Sequence, residues 1–196
     1  MSEIRPEILK RRAKRALAET AVADTVLERL AEAATLAPSC FNKQPWRLLF
    51  VTDSRARAAV RNALAGGNYW AERAPVYVVV LTHPDFDCRL DEDRDYALFD
   101  TGLAVGNLLL QATHEGLIAH PVAGFHAAKL KQELGIPRWY IAITVLVLGY
   151  PGSPAGLTEE HRKLENAPRT RVPMESVVLF NRWETNDNCG GGPKTE

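Results

Sequence analysis

Cysteine is scarce in this chain, and charge of either sign in excess is missing altogether. Only Cys40, Cys88 and Cys189 occur, an odd number at wide spacings, which matches neither a disulfide framework nor a zinc site. Lys+Arg and Asp+Glu are equal at 24 each, so the formal net charge is zero. No global field gathers nucleic acid or an anionic membrane. No apolar run approaches the ~18 residues that span a bilayer. The opening MSEIRPEILKRRAKR has no stretch like a signal peptide, and a soluble, cytoplasmic protein is the expectation. The five histidines form no HxH or HxxxH pair, so no metal ion is expected. No G-x-S-x-G elbow occurs, and no glycine run completes the Walker G-x-x-x-x-G-K-[ST] pattern, which argues against triad hydrolysis and P-loop chemistry.

What is present is an ordinary globular composition. The 196 residues are 46% hydrophobic and 24% charged, enough for one domain with a substantial core and no staples. We expect that domain at 1–185 and a disordered tail at 186–196, where the sequence ends in NDNCGGGPKTE. Helical spacing predicts helices over 7–19, 25–36, 54–64, 96–114 and 126–134. Thr25 with Glu28, or Asp24, supplies a cap for the second, and Ser54 for the third. Strands are predicted at Leu48–Val51, Val76–Leu81, Tyr140–Leu148 and Glu175–Phe180, from their β-branched content. Residues 85–95 and 150–173 read as loops. Tyr96 to His114 is apolar nearly all round, as a helix in a core or a subunit interface would be.

Two stretches could carry chemistry. Lys10-Arg11-Arg12-Ala13-Lys14-Arg15 holds five cations in six residues, and at helical spacing Arg11 and Arg15 would share a face. Guanidinium forks match phosphate oxygens, although a solvated basic face or a nucleic-acid patch is the plainer reading of this stretch alone. Ala37-Pro38-Ser39-Cys40-Phe41-Asn42-Lys43-Gln44-Pro45-Trp46 links a helix to a strand. Its prolines fix the path, and its amides can read the edge of a heterocycle.

This second stretch resembles the A-P-S-x-x-N-x-Q-P-W motif of the flavin-dependent nitroreductase family, with Cys40 where Ser is more usual. The resemblance continues in order along the chain. Arg11 to Arg15 is similar to an R-R-S-x-R opening, with Ala13 in place of the serine. Asp100-Thr101-Gly102 through Leu110 resembles a D-x-G-x-A-x-x-N-L-L-L helix. Pro121 to Phe125, Leu134-Gly135-Ile136-Pro137, Gly149-Tyr150-Pro151 and Arg169-Thr170-Arg171 resemble later landmarks.

The resemblance implies an α+β fold, with a central, mostly antiparallel sheet flanked by helices, in an intertwined homodimer that holds FMN at its interface. Arg11 and Arg12 would hold the phosphate or ribityl chain, Ala13 lining that stretch without a hydroxyl to give, and Arg169 and Arg171 would close on the phosphate. Arg15 would reach the pyrimidine side of the ring. Pro38, Ser39, Cys40 and Asn42 would contact FMN from the partner subunit or line the pocket. Asn68 would meet the pyrimidine edge. Val122 and Gly124 would run beside the reactive flavin nitrogen, with the Gly124 N–H as donor. Ala123 removes a carboxylate found in some members, and the stretch between Leu81 and Tyr96 is short for the family, so a cover for the site must come from elsewhere.

The implied activity is FMN-dependent transfer of reducing equivalents from NADH or NADPH to a nitroaromatic, quinone or similar electron-poor small molecule. No side chain is needed as a catalytic acid or base, because the cofactor carries the chemistry. A flavin-binding protein of the same fold that stores, senses or cleaves flavin is the alternative. A nucleic-acid protein using residues 10–15 is a third reading; a yellow protein would exclude it.

Overall fold

The structure of the chain, a computed structural model, describes residues 3–183. The expected disordered tail and Cys189 lie outside the described residues. Two compact units are found, residues 1–165 and the stretch from 166 onward.

The first unit is built on a four-stranded sheet of order β1-β2-β4-β3, every pair antiparallel. The strands are β1 (Arg47–Val51), β2 (Val76–Thr82), β3 (Ile118–Val122) and β4 (Ile141–Gly149). All seven residues of β2 are buried, because helices cover both of its faces and side chains alternate between them. Tyr77, Val79 and Leu81 enter one core with Val145, Val147, Val60, Trp70 and Leu130. Val76, Val78 and Val80 enter the other with Leu146, Leu148, Leu30 and Leu108. The first core lies under α3 (Ser54–Ala63), the 3-10 stretch Gly66–Arg73 and α5 (Ala127–Glu133); the second lies under α2 (Asp24–Thr35) and α4 (Tyr96–His114). Leu30 and Leu108 are fully buried, and cutting either to Ala would cost about 2–5 kcal/mol.

Several expectations need correction. The helix expected over 7–19 is only α1 (Pro6–Lys10). Continued helix would stack like charges at i,i+3 and i,i+4. Residues 11–15 form no helix, and residues 16–18 pair with residues 150–152: the Ala18 N–H donates to Tyr150 O and the Gly152 N–H to Ala16 O. Asp53, not Ser54, caps α3, its side chain accepting from the Ala56 N–H. The start of α2 has Ala23 at the cap and no side-chain cap bond. The expected loop 150–173 contains α6 (Glu159–Asn166).

No strand forms over Glu175–Phe180, where a short 3-10 turn, Met174–Ser176, sits instead. β-Branched residues favour strands only where a neighbouring strand completes the ladder. The fourth strand is β3, which the sequence hides. Its Pro121 removes a ladder donor, and it is tolerated because β3 is an edge strand pairing only with β4.

Candidate functional site

The residues expected to bind a cofactor fall into two groups, held by different layers. The first group rests on the α3/α5 side of the sheet. Residues 11–15 approach it in extended conformation, and Ala16 and Leu17 enter its core. The fit against residues 150–152 is close enough to demand glycine. A Cβ on Gly152 would lie 2.4 Å from the Leu17 carbonyl carbon and 2.5 Å from the Ala18 nitrogen, and both are backbone atoms that cannot swing aside.

The side chains of this group then pack around β3. The guanidinium of Arg15 lies 5.9 Å from the Trp70 ring centroid. Trp70 in turn packs on His120, with centroids 4.5 Å apart. His120 Nδ1 is 3.0 Å from Lys14 O, and since a carbonyl only accepts, that nitrogen carries the proton and the neutral ring donates. Burial holds the His120 pKa below the usual imidazole range, and the Lys14 carbonyl works against that shift.

Just beyond the end of β3, Asn68 Nδ2 donates to Gly124 O at 2.9 Å, and the Ala65 N–H donates to the same oxygen. A Cβ on Gly124 would come 3.1 Å from Asn68 Nδ2. Asn68 and Gly124, 56 residues apart and expected to meet one ring, therefore touch each other. Gly124 is exposed and Val122 is buried. A bare glycine edge beside a carboxamide and a row of cations suits a flat, polar-edged ring with an anionic tail, so the residues present fit FMN.

Sequence reasoning missed what covers this group. Tyr69 stacks on His161 with its hydroxyl 3.0 Å from Nδ1, and it accepts from the Thr158 N–H at 2.8 Å. At the other end of α6, Glu165 accepts from the Arg15 N–H. The 158–165 stretch is thus pinned at one end to Tyr69 and at the other to Arg15.

The second group, residues 38–44, belongs to the α2/α4 side. Ala37 and Trp46 enter that core. The loop between them is bent hard: Phe41, Asn42 and Gln44 have φ of 48, 56 and 49°, a region costing roughly 1–2 kcal/mol for each residue with a side chain. Local bonds hold it, with Ser39 Oγ accepting from the Gln44 N–H and Asn42 O from Gln44 Nε2. The Cys40 N–H donates to Asp100 Oδ2 of α4 at 2.6 Å. Non-glycine residues in this region persist where surroundings over-determine them, typically at functional sites.

Cys40 is also bonded to Cys88, with Cα atoms 6.3 Å apart, correcting the expectation that the cysteines pair with nothing. Wide sequence spacing hid a pairing that only the fold creates. Asp87 lies beside the bridge. It is 5% exposed, and its Oδ2 is buried with no hydrogen-bond partner. Burial pushes the Asp87 pKa up; the Cys88 N–H opposes this, and the Asp100 carboxyl adds to the rise.

Arg169 and Arg171 belong to the second unit. Arg169 is half-buried and Arg171 exposed, the latter's Nη1 donating to Thr170 O. Among the described residues, no helix is long and apolar enough to cross a membrane.

The profile of the Nitroreductase family matches residues 8–69 and 59–150. A Thermus thermophilus protein named NADH dehydrogenase is 29% identical over 88% of this chain and 93% of its own length. The Bacillus subtilis FMN reductase [NAD(P)H] is 25% identical over 90% of this chain and 73% of its own. A crystal structure described as an oxidoreductase containing FMN superposes with a TM-score of 0.82 at 27% identity, covering 94% of this chain and 96% of that one.

Proposed function

The chain belongs to the nitroreductase family, and from that premise we propose an FMN-dependent oxidoreductase that takes reducing equivalents from NADH or NADPH. The acceptors we assign are nitroaromatics, quinones and similar electron-poor small molecules. The observation that carries this reading is the meeting of Asn68 with Gly124 past the end of β3, on the same side of the sheet as the Trp70 ring that Arg15 packs on. Relatives named for NAD(P)H and FMN support the donor and the cofactor.

When bound, the flavin supplies the hydride chemistry. The protein's own residues orient it. Arg11, Arg12, Arg169 and Arg171 are proposed to take the phosphate, as charge-assisted donors do best. Arg15, braced on Trp70, places a cation where negative charge gathers at the pyrimidine edge. Asn68 reads that edge, and Gly124 offers an N–H with no side chain in the way. Pro38, Ser39, Cys40 and Asn42 line the opposite wall.

We place the protein in the cytoplasm as a homodimer, with residues 1–185 as one flavin-binding domain. Two observations support the dimer. The two groups of site residues are anchored on opposite layers of one chain's sheet, so a second copy is a natural source of the missing wall. α4 buries Ala97, Asp100, Thr101, Ala104, Leu108 and Ala112 but leaves Leu98 and Phe99 50% and 57% exposed, an apolar face suited to a second copy.

The test is a visible spectrum of the purified protein before and after anaerobic NADH and NADPH, followed by a nitroaromatic or quinone. We expect a flavin band that bleaches and then returns. A colourless protein that takes up no FMN sinks the reading. A bound flavin that neither nucleotide bleaches would favour storage, sensing or cleavage.

A further inference from the structure

The Cys40–Cys88 bridge lies outside the chemistry proposed above, yet it ends inside the wall expected to face the flavin. The geometry points to a thiol–disulfide exchange site, open to low-molecular-weight thiols, whose state sets how firmly residues 38–42 hold FMN. This rests on the flavin-binding reading.

Three features make it an exchange site rather than an inert staple. First, it is reachable. A cleft of about 500 Å³ is lined by Cys88 and Asp87 together with Lys43, Asp85 and Arg89. Second, a proton is at hand. A carboxylate oxygen of Asp87 and both sulfurs lie within 4.8 Å of one another, and that carboxyl is buried beside Asp100, surroundings that favour its protonated form. Third, Lys43 lies on the same cleft and favours an incoming thiolate. Disulfides in a reducing compartment are usually of the transient, catalytic or redox-sensing kind.

The step balances without any further oxidant. A small thiolate attacks Cys88 Sγ from the cleft, forming a mixed disulfide and breaking the Cys40–Cys88 bond. Cys40 leaves as a thiolate and takes a proton from Asp87, which regains one from solvent. A second thiol attacks the mixed disulfide at the small molecule's sulfur and releases the Cys88 thiol. The protein gains two electrons and two protons; two small thiols become one small disulfide.

The consequence falls on the bent loop. Cys40 immediately precedes Phe41 and Asn42, both left-handed, and the bridge ties Cys40 to the 83–95 loop. Without it, only Asp100 and local bonds oppose relaxation of the loop, and Ser39 and Asn42 lose their fixed positions.

The experiment compares air-oxidised protein with protein treated with glutathione and, in parallel, dithiothreitol. Peptide mapping under non-reducing conditions should show Cys40 joined to Cys88. FMN titrated into the apo form of each should bind about tenfold more weakly after reduction, and reoxidation should restore it. The C88S variant should bind FMN with the reduced protein's affinity whether or not thiol is present. A mapped Cys40–Cys88 peptide that glutathione leaves intact overturns the exchange site. Equal FMN affinity in both states overturns the link to the flavin wall, and so does a C88S variant that still responds to thiol. Free thiols at both Cys40 and Cys88 in air-oxidised protein that binds FMN overturn the bridge and with it the exchange site, whereas failure of oxidised protein to bind FMN at all removes the flavin reading instead.

Discussion

The two walls of the candidate site are made in opposite ways. The wall of Arg15, Trp70, His120, Asn68 and Gly124 is tied to the sheet by backbone hydrogen bonds and a glycine-only contact at Gly152. The wall of residues 38–44 is a strained loop held by side chains, one carboxylate and a disulfide. The first is fixed wherever the core is folded. The second is fixed only while its particular partners stay in place. A site with one unconditional wall and one conditional wall can keep its cofactor's orientation while its grip is adjusted.

The largest expected effect tests whether flavin affinity resides in these walls alone. If Arg169 and Arg171 take the phosphate as proposed, changing both to Ala removes two charge-assisted hydrogen bonds at roughly 1.5–3 kcal/mol each. FMN affinity should fall by about 10²–10⁴, while riboflavin, which has no phosphate, binds parent and variant alike. Fluorescence quenching with both flavins reads this directly. Equal losses for the two would remove these arginines from the phosphate.

Next comes Gly152→Ala, aimed at the unconditional wall. The added methyl meets backbone it cannot displace, so the cost should reach the upper end of the ~1–3 kcal/mol of overpacking. At about 2–4 °C per kcal/mol for a chain of this length, the melting temperature should drop by roughly 6–12 °C. An unchanged melt would mean that residues 16–18 are not docked as described.

Acid separates the two layers more gently. His120 is buried neutral, with its folded pKa below the unfolded value near 6.5. The unfolded chain therefore binds that proton more readily, and stability is lost as pH falls from about 6.5 toward the folded pKa. The α2/α4 layer responds lower. Glu115 receives two hydrogen bonds from Arg29 of α2, which, aided by Gln111, hold its pKa down at about 2. Its contribution is present above the ordinary carboxylate pKa near 4.3 and is lost as pH falls toward about 2. Melting curves of H120Q should flatten the upper window only, and those of E115Q the lower one only. A variant that flattens the other's window would show that the layers are not separate.

The smallest effect concerns the conditional wall. Phe41 is 89% exposed at φ 48°. Glycine there relieves roughly 1–2 kcal/mol of left-handed cost and returns about 0.5–1 kcal/mol in chain entropy. The net gain of about 0–1.5 kcal/mol means F41G should melt at the parent's temperature or up to about 6 °C above it. A clear destabilisation would reveal that the ring is packed, as it would be against a second copy.

Much of this was legible in the sequence where period and capping agreed. The predicted 96–114 helix coincides with α4, and β2 extends one residue beyond its predicted end. Gly116 and Gly135 have the left-handed φ that helix ends require. What failed was decided by tertiary contact. Residues 11–18 have good helix formers, but their partner at 150–152 prefers them extended. Pro121 argues against a strand until β3 is seen at an edge. The charged EEHRKLEN of α6 lies in a Pro- and Gly-rich region, and its anchors Tyr69 and Arg15 are remote in sequence. Within the site, resemblance alone brought Asn68 and Gly124 to notice. Nothing short of the fold could pair Cys40 with Cys88, or bury Asp87 beside Asp100.

The docking of residues 11–18 also sets an order of events in the making of the protein. Arg15 and Glu165 are 150 residues apart, and the strip's other anchors, at 150–152, are nearly as remote. Contacts at such separation close late, because the loop entropy must be met before they give anything back. Chains emerge from the N-terminus at about 5–20 residues per second, so the arginine strip is among the first parts synthesised and among the last to be shaped. Until β4 and the turn after it have appeared, that strip is a bare polycation. The wall proposed to face the phosphate thus comes into being with the end of folding, and on that proposal FMN offered to a growing chain would find only half of its seat.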